Sequence, residues 1–347
     1  MFEYKSMLGW LIFFTTLYII IPQDRIHSSI KVTYKKKPYR VFDLFLYNGE
    51  SDMLYTRLWR LNRFVDHFIL FMSPTTFSGL KNNISFAPFE KEILSYSEKL
   101  TIINESLECP PEINAPNDNW CREFVQRNGL LKGLKKHNPV KGDLIFVSDI
   151  DEIPTRSGMK YILSHLPKDY YILNALYMTP NFKFSRDPWY RSFVVRYNTK
   201  IESFQYYRDI ENPQPFPHFP VVTHCSYCFN SIDAYKRKLN SFAHQEFNRY
   251  PWTNDSFIFR MHYCRHGLLF PVAHPPDEAF VGEPLVPNDE RLKYLIDPNF
   301  MLDISRTIFT EKDLPTLCNE ENDWFESATQ FPPVLKKKFY IDEKWEF

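Results

Sequence analysis

The sequence of 347 residues predicts an α/β fold in which helices cover both faces of a mainly parallel sheet. Two observations support this fold class. Apolar, strand-like runs alternate with helix-like stretches from residue 41 onward, which is typical of sheets built from βαβ units. Residues 144–147 are apolar without interruption, as expected for a strand buried on both faces. With 44% hydrophobic residues, the chain can also bury a large core.

The predicted elements alternate along the first half of the chain. In order, they are a strand over 41–47, a helix over 53–64, a strand over 65–72, a strand over 99–104, a helix over 120–136 and the strand at 144–147. Proline-rich tracts at 212–220 and 271–276 predict loops in the second half.

Charge and glycine content argue against two classes of function. The formal net charge is zero and no basic stripe occurs, so a nucleic-acid partner is not expected. The chain has only 9 glycines and no Gly-x-Gly, which excludes a glycine-rich loop that cradles phosphates. A bound nucleotide would therefore need a metal ion, or Arg and Lys side chains, to neutralise its diphosphate.

The strand at 144–147 runs into the acidic sequence SDIDEIP (148–154). Ligands of parallel sheets bind beyond the carboxyl ends of the strands. Asp149 and Asp151 can turn toward one ion while Ile150 turns back into the protein, and carboxylate oxygens suit Mn²⁺ or Mg²⁺ carrying a substrate phosphate. We therefore predict Asp149 and Asp151 as metal ligands, with a solvated acidic loop as the other interpretation. Glu152 is either catalytic or part of a salt bridge or helix cap.

The amino terminus predicts a membrane anchor. Residues 8–21 form an uncharged, mostly apolar run, shorter than the roughly 20 residues that comfortably span a bilayer but adequate for a thin one. No small-x-small cleavage site follows it. The predicted order is a cytoplasmic tail at 1–6, a transmembrane signal anchor at 7–21, a stem at 22–40 and a lumenal domain at 41–347. A cleaved signal peptide and a buried helix of a soluble protein are the alternatives.

Sequons and cysteines agree with a lumenal location. Three sequons predict N-glycans on Asn83, Asn104 and Asn254. An even number of cysteines is ready to form disulfides in an oxidising compartment: Cys109, Cys121, Cys225, Cys228, Cys264 and Cys318. The other interpretations of these cysteines are a zinc site made of Cys225, Cys228, Cys264 and one histidine, and a redox-active pair.

Several short motifs follow one another along the chain. They are FDLF (42–45) with Asn48, Glu50 and Asp52, VDHF (65–68), TFSG (76–79), SDIDEIP (148–154), HCSYCF (224–229) and SFAHQE (241–246). In this order they resemble glycosyltransferase family 17, over residues 41–269. The resemblance implies a GT-A-like nucleotide-sugar transferase fold, a UDP-sugar donor, a divalent metal ion and an inverting transfer at a Golgi or ER membrane.

The resemblance also implies a substrate pair. It points to transfer of GlcNAc from UDP-GlcNAc, in β-1,4 linkage, to a mannose of an N-glycan. The chain departs from the family pattern at Met72, where Glu is usual, at Thr155-Arg156, where Arg-Pro is usual, and at Val222-Thr223, where Gly-Trp is usual. A transferase with another UDP-hexose donor, and an inactive glycan-binding protein of the same fold, are the alternatives.

The resemblance also implies which residue acts as the general base. Glu246 lies in the SFAHQE motif, where the family usually carries a carboxylate, and we predict that it accepts the proton of the acceptor hydroxyl. As a surface residue it would instead pair with Lys236, Lys238 or Arg249. Other carboxylates that could act as the base are Asp209, Asp233 and Asp255.

Two arginines and two aromatic residues complete the predicted site. Arg122 and Arg127, on the helix before the acidic strand, either face the donor phosphates or clamp carboxylates. Trp189 and Tyr190, in a predicted loop over 181–190, either stack on sugars of the acceptor or pack in the core.

Overall fold

The structure is a computed structural model, and it describes residues 38–110, 118–178, 184–265, 284–297, 300–314 and 316–317. A compact unit begins at Tyr39. Of the helices described, none is both long and apolar enough to cross a membrane. The predicted tail and anchor, the predicted loop at 271–276 and Cys318 lie outside the described residues.

The described elements form two sheets and the helices around them. The strands are β1 (Val41–Tyr47), β2 (His67–Met72), β3 (Leu100–Asn104), β4 (Leu144–Asp149), β5 (Glu152–Pro154), β6 (Tyr170–Ile172), β7 (Ala175–Met178), β8 (Phe184–Trp189), β9 (Phe193–Arg196) and β10 (Val222–His224). The α-helices are α1 (Ser51–Leu61), α2 (Glu90–Leu94), α3 (Asp118–Lys135), α4 (Arg156–Ser164), α5 (Gln205–Arg208), α6 (Ile232–Ser241) and α7 (Asp255–Arg260). Short 3₁₀ turns lie at Gln245–Phe247, Glu290–Leu295 and Ile304–Arg306, and a π-helical turn at Met261–Arg265.

The larger sheet has six strands in the order β3-β2-β1-β4-β9-β6. The first four are parallel, and β9 is antiparallel to both β4 and β6. The register sets Leu46 of β1 opposite Asp149 of β4, so these two strands end at the same edge. A second sheet, in the order β5-β10-β7-β8, begins directly after the acidic turn that follows β4.

Both faces of the larger sheet are buried, as β1 shows. Every residue of β1 is buried, and its apolar side chains alternate between two hydrophobic clusters: Val41, Phe45 and Tyr47 belong to one, and Phe42, Leu44 and Leu46 to the other. Helix α1 covers the first face with Met53, Leu54, Leu58 and Leu61.

Helix α3 covers the second face at close range. Leu130 and Leu134 pack into the cluster there. A Cβ atom on Gly133 would lie 2.5 Å from Cγ2 of Ile69 in β2, so this approach of helix and strand requires glycine. A third hydrophobic cluster, around α6 and α7, includes Tyr235, Leu239 and Phe257.

The predicted α/β class, with a central sheet flanked by helices, is confirmed. The predicted strands and helices of the first half are present: β1 has the predicted bounds, and the ends of the others shift by at most three residues. The tract at 212–220 contains no helix or strand, as predicted. The prediction of a loop over 181–190 is wrong, because β8 runs from Phe184 to Trp189 and pairs with β7. The alternation that marks a strand is interrupted there by Pro188, which sits on the edge strand of the second sheet.

Candidate active site

The acidic sequence at 148–154 lies where the neighbouring strands β1 and β4 end. Asp149 is the last residue of β4, Ile150 and Asp151 form a turn, and Glu152 begins β5. Ile150 is buried in the core, as the motif predicts. The carboxyl end of β1 leads through a glycine with positive φ to Glu50. Carboxylates from both strand ends therefore gather at one edge of the sheet.

Asp149 is held between two arginines. Its Oδ1 accepts a hydrogen bond from Arg127 at 2.9 Å, and its Oδ2 accepts one from Arg208 at 2.6 Å. Burial acts to raise the pKa of Asp149, but the charges of Arg208 and Arg127 outweigh burial and lower it. The carboxylate is therefore charged at neutral pH, and both of its oxygens already have a cationic partner.

Glu152 is fully buried, and hydrogen-bond donors surround its carboxylate group. Its Oε2 accepts hydrogen bonds from Arg208 at 3.0 Å and from Ser192 at 2.8 Å, and its Oε1 accepts one from the indole nitrogen of Trp189. Its Oε2 also accepts from the backbone N–H of Asp149 at 3.0 Å. Burial raises the pKa of Glu152, yet the positive charge of Arg208 outweighs burial and lowers it. This geometry matches the predicted salt bridge, and a catalytic role for Glu152 stays a prediction.

Arg57 fixes the backbone of the acidic turn. It lies on α1, is fully buried, and donates to the carboxylate of Asp43 in β1 at 2.8 and 2.6 Å. It also donates to the carbonyl oxygens of Asp149 at 2.8 Å and Glu152 at 3.1 Å, and to Oγ of Ser148 at 2.7 Å. One guanidinium group thus joins β1, α1 and both ends of the turn.

Asp151 has a different environment from its two acidic neighbours. Its Oδ2 lies 3.4 Å from Nζ of Lys238 on α6, and the same ammonium group lies 3.8 Å from Oε1 of Glu50. Its Oδ1 lies 3.8 Å from Nε2 of His224 at the end of β10. Burial lowers the pKa of His224, so the imidazole is neutral at neutral pH, and burial raises the pKa of Glu50. Because its nearest cation lies 3.4 Å away and the histidine is neutral, Asp151 has looser ionic contacts than Asp149.

The two predicted donor arginines are both engaged with protein groups. Arg127 donates to Glu123 at 2.8 Å as well as to Asp149, which matches the carboxylate clamp. Arg122 donates to the carbonyl of Phe77 at 2.6 Å and to Asn119 at 2.8 Å, and so supports the TFSG loop. Their contact with a donor phosphate stays a prediction.

Trp189 lies beside the acidic turn. Its ring is tilted against Tyr177 at 5.4 Å and against His224 at 5.0 Å, while its indole nitrogen holds Glu152. Tyr190, the next residue, packs against the cluster on the α3 face of the sheet. Trp189 is half-buried, so part of its surface can meet a ligand. Sugar stacking on either ring stays a prediction.

Glu246 lies in the 3₁₀ turn after α6. Its Oε1 is 2.8 Å from Nδ1 of His244, whose ring meets the edge of Trp120 with centroids 4.6 Å apart. The described residues show no ion pair from Glu246 to the three basic neighbours that the sequence suggested. Burial, and then the negative charges of Asp151 and Glu246, raise the pKa of Tyr227, which places both carboxylates within electrostatic range of one phenol. The charges of Glu246 and Asp151 therefore both act on Tyr227.

The other carboxylates considered as bases have protein partners. Asp209 accepts a hydrogen bond from Gln205 at 2.8 Å, Asp233 pairs with Arg306 at 2.7 Å, and Asp255 pairs with Lys236 and Arg306. A role as the base stays a prediction for each of them.

Disulfides link four of the predicted cysteines. Cys109 pairs with Cys121, and Cys225 pairs with Cys228. Cys264 is disulfide-bonded as well. The second pair follows β10 directly, and the backbone N–H of Cys225 donates to the carbonyl of Asp151 at 2.9 Å. Disulfide bonding of these cysteines leaves them no thiolates for the zinc site.

The sequon asparagines are all exposed. Asn83 lies in the segment between β2 and α2, and Asn104 is the last residue of β3. Asn254 caps α7, where its Oδ1 accepts from the backbone N–H of Phe257 at 3.1 Å. All three side chains are therefore on the surface of the folded domain.

In the described residues, too few metal-binding side chains lie close together to hold a metal ion unless a bound ligand supplies further oxygen atoms. In the described parts of the chain, no three His, Cys, Asp or Glu side chains come together as a metal site. Asp149 is occupied by two guanidinium groups, whereas Asp151 and Glu50 share only a distant ammonium group. Mg²⁺-type ions are commonly held by one or two carboxylates plus substrate phosphates. The donor set fits a divalent ion that arrives with a diphosphate.

Three basic residues organise the site and were not predicted from sequence: Arg57, Arg208 and Lys238. A signal existed for Arg57, because it lies on the apolar face of α1 and Asp43 interrupts an otherwise apolar strand. A buried cation and a buried anion at such positions predict a pair. Arg208 has no comparable signal, since it reaches Asp149 from 59 residues away.

Comparison with solved structures gives weak similarity. Matches include a protein described as a glucose-1-phosphate thymidylyltransferase from Bacillus anthracis (TM-score 0.25, 9% identity) and the inositol-1-phosphate CTP transferase from T. maritima (TM-score 0.22, 12% identity). Each alignment covers 46% of this chain and 71% of the other.

Comparison with known sequences is informative. The human β-1,4-mannosyl-glycoprotein 4-β-N-acetylglucosaminyltransferase is 22% identical over 328 residues, which include 80% of this chain. The chain spans 59% of the length of that relative. The profile of glycosyltransferase family 17 matches residues 25–267, which is more than half of the chain and contains the whole acidic turn. The chain therefore belongs to glycosyltransferase family 17.

Proposed function

We propose that the protein is an inverting, metal-dependent N-acetylglucosaminyltransferase with a GT-A-like fold. In this proposal it transfers GlcNAc from UDP-GlcNAc, in β-1,4 linkage, to a mannose of an N-glycan. The observation that supports it best is the acidic turn at the carboxyl ends of β1 and β4, in a chain of family 17 with a relative named as such a transferase. Ligand binding beyond the strand ends is the rule for this kind of sheet.

The reaction is a single displacement. The acceptor hydroxyl oxygen forms a bond to the anomeric carbon as the bond from that carbon to the β-phosphate oxygen breaks. The electron pair of the broken bond leaves with UDP, and the hydroxyl proton passes to Glu246. His244, hydrogen-bonded to Glu246, orients its carboxylate. In this proposal the acceptor sugar stacks on Trp189, which is half-buried beside the turn.

The metal ion in this proposal is Mn²⁺ or Mg²⁺. Asp151 would hold it, with Glu50 as the second carboxylate near the same ammonium group. When bound, it supplies Lewis-acid stabilisation of the diphosphate. Asp149, held by two arginines, also orders Arg127 and Arg208, and its own role as a metal ligand stays a prediction.

The proposed location is a Golgi or ER membrane, with the catalytic domain in the lumen. The disulfides of the described residues support an oxidising compartment. The exposed sequon asparagines agree with it.

A donor and acceptor panel tests the proposal. Purified protein is incubated with Mn²⁺, an N-glycan that ends in GlcNAc-substituted mannose, and one of several UDP-sugars, and the product is analysed by mass and by NMR linkage. We expect UDP-GlcNAc to be used and a β-1,4 bond to mannose to form. Preference for another UDP-hexose would change the donor. Glycan binding without turnover of any donor would contradict the proposed activity.

A further inference from the structure

Lys238 differs from the other cations of the site in how tightly it is held. Its ammonium group lies 3.4 Å from Asp151 and 3.8 Å from Glu50, whereas Arg127 and Arg208 lie 2.6 to 3.0 Å from their carboxylates. Its side chain is 18% exposed, against 2% for Arg127 and 7% for Arg208. Of these three cations, Lys238 is the one that a ligand can reach most easily.

The ammonium group also has hydrogen-bonding capacity to spare. A lysine carries three N–H donors. Within the described residues, the ammonium group makes one hydrogen bond, the 3.4 Å contact with Asp151, which is long for a charged pair. The group can therefore keep its place near a carboxylate and still donate to a second anion.

The position of Lys238 is fixed by the end of its helix. Three residues further along α6, Oγ of Ser241 accepts from the side-chain amide of Asn48, in the loop after β1, at 2.8 Å. Asn48 in turn accepts from Asn82 at 2.7 Å. This chain of contacts holds α6 against the edge of the sheet where β1 and β4 end.

We propose that Lys238 binds the diphosphate of the nucleotide-sugar donor and neutralises the charge that develops on the leaving group. This inference rests on the proposed function and adds a residue to it. Arg57 and Arg208 each hold a buried carboxylate, Asp43 and Glu152, which would lose its cation if the arginine turned to a ligand. Arg127 is less exposed than Lys238 and lies closer to its carboxylates. Lys238 can turn to a ligand, because Asp151 and Glu50 hold it at long range.

The test compares ligands with and without phosphates. The affinities of UDP and uridine are measured by calorimetry, with and without Mn²⁺, for the wild-type protein, Lys238→Met and Lys238→Arg. We expect Lys238→Met to weaken UDP binding about 10- to 100-fold, as for a lost charge-assisted hydrogen bond, and to leave uridine binding unchanged. Lys238→Arg keeps the charge and should recover most of the UDP affinity.

Lys236→Met is the matched control, since Lys236 lies on the same helix but pairs with Asp255. We expect it to bind both ligands like the wild type. Equal UDP affinity in Lys238→Met and wild type would overturn the inference and leave the proposed function intact. Equal losses for UDP and uridine in Lys238→Met would assign Lys238 a structural role and also overturn it. If the wild-type protein binds no UDP, the proposed function itself is wrong.

Discussion

Asp149, Asp151 and Glu152 share one short turn, but their neighbours give them different chemistry. Arg208 contacts both Asp149 and Glu152, and these two carboxylates are charged, buried or half-buried, and saturated with donors. Asp151 shares only a distant ammonium group with Glu50. The residue with the weakest protein contacts is the one best able to accept a new cation, so Asp151 is the acidic residue on which substrate binding should depend most.

A variant of Asp151 tests this conclusion. In Asp151→Asn we expect transfer to fall below detection, while the melting temperature stays near that of the wild type. In the wild type, Mn²⁺ should bind strongly only together with UDP, because the described side chains offer too few ligands alone. Electron paramagnetic resonance of Mn²⁺, with and without UDP, measures this directly. Asp169→Asn, an exposed site after α4, is the control. Full activity in EDTA, or in Asp151→Asn, would contradict the metal role.

Glu246 gives a second prediction, for the base. We expect Glu246→Gln to lower transfer by about 10²-fold or more, the usual scale for a lost general base, with UDP affinity unchanged. His244→Gln should have a smaller effect, because it removes only the group that is hydrogen-bonded to Glu246. Initial rates at saturating donor, combined with UDP calorimetry, check both. If His244→Gln causes the larger loss, the imidazole is the base and Glu246 orients it. Unimpaired transfer in Glu246→Gln would move the role to another carboxylate.

Arg57 connects elements that are far apart in the sequence. Its guanidinium group joins α1 to β1 through Asp43 and to the turn between β4 and β5 through two carbonyl oxygens. The two sheets meet at this turn. The hydrogen bonds of one buried side chain therefore set both the backbone of the acidic turn and the junction of the sheets.

Removal of Arg57 should cost much of the stability of the domain. Arg57→Met leaves the carboxylate of Asp43 buried without a partner, and we expect a loss of about 3–5 kcal/mol in the free energy of unfolding. Arg63→Met, an exposed change just beyond the end of the same helix, should alter it by less than about 0.5 kcal/mol. Urea denaturation with the disulfides intact measures both. A small effect in Arg57→Met would mean that the pair with Asp43 contributes little to folding.

The elements that the sequence predicted well are those with long periodic patterns. β1, α1, β2, α3 and β4 have apolar spacings that define their type and their buried face, and the acidic turn follows from the end of β4. α5 could not be predicted in this way, because four residues are too few to show a helical period. It nevertheless supplies Arg208, the cation that holds both Asp149 and Glu152. Pairs that form over 56 to 59 residues of separation depend on the packing of the sheets, which no local pattern encodes.

Two histidines beside the amino end of β2 should make stability depend on pH. The rings of His67, in β2, and His137, just after α3, are tilted against each other with centroids 4.3 Å apart. Burial lowers the pKa of both imidazoles; the other ring lowers that of His67 further, and Arg40 lowers that of His137. The unfolded chain therefore takes up protons at a higher pH than the folded chain. Stability should fall as pH decreases through about 6.5, the ordinary pKa of histidine, and stop falling below the lowered pKa values.

A histidine variant isolates this effect. We expect His137→Gln to lose part of the decrease in urea midpoint between pH 7.5 and 5.5, since it removes one lowered pKa and one neighbouring charge. His165→Gln, which changes the exposed histidine directly after α4, should keep the wild-type pH dependence. The same midpoint shift in the wild type and His137→Gln would show that the pair does not control it.

The distribution of disulfides and sequons over the whole domain yields the last prediction. Cys109–Cys121 ties the segment after β3 to α3, and Cys225–Cys228 closes the loop after β10, where Cys225 also holds the carbonyl of Asp151. Both bonds lie in the part of the chain that forms the site, so a reducing compartment would remove two constraints from the domain.

A protein expressed with its own amino terminus in eukaryotic cells should show both pairs in non-reducing peptide mapping. Glycosidase treatment should reduce its mass through the exposed sites at Asn83, Asn104 and Asn254. Free thiols at Cys225 and Cys228, together with no change in mass, would contradict the lumenal assignment and the disulfides at once. Because the mapping reports pairing and the glycosidase reports the compartment, free thiols in a glycosylated protein would contradict the pairing alone.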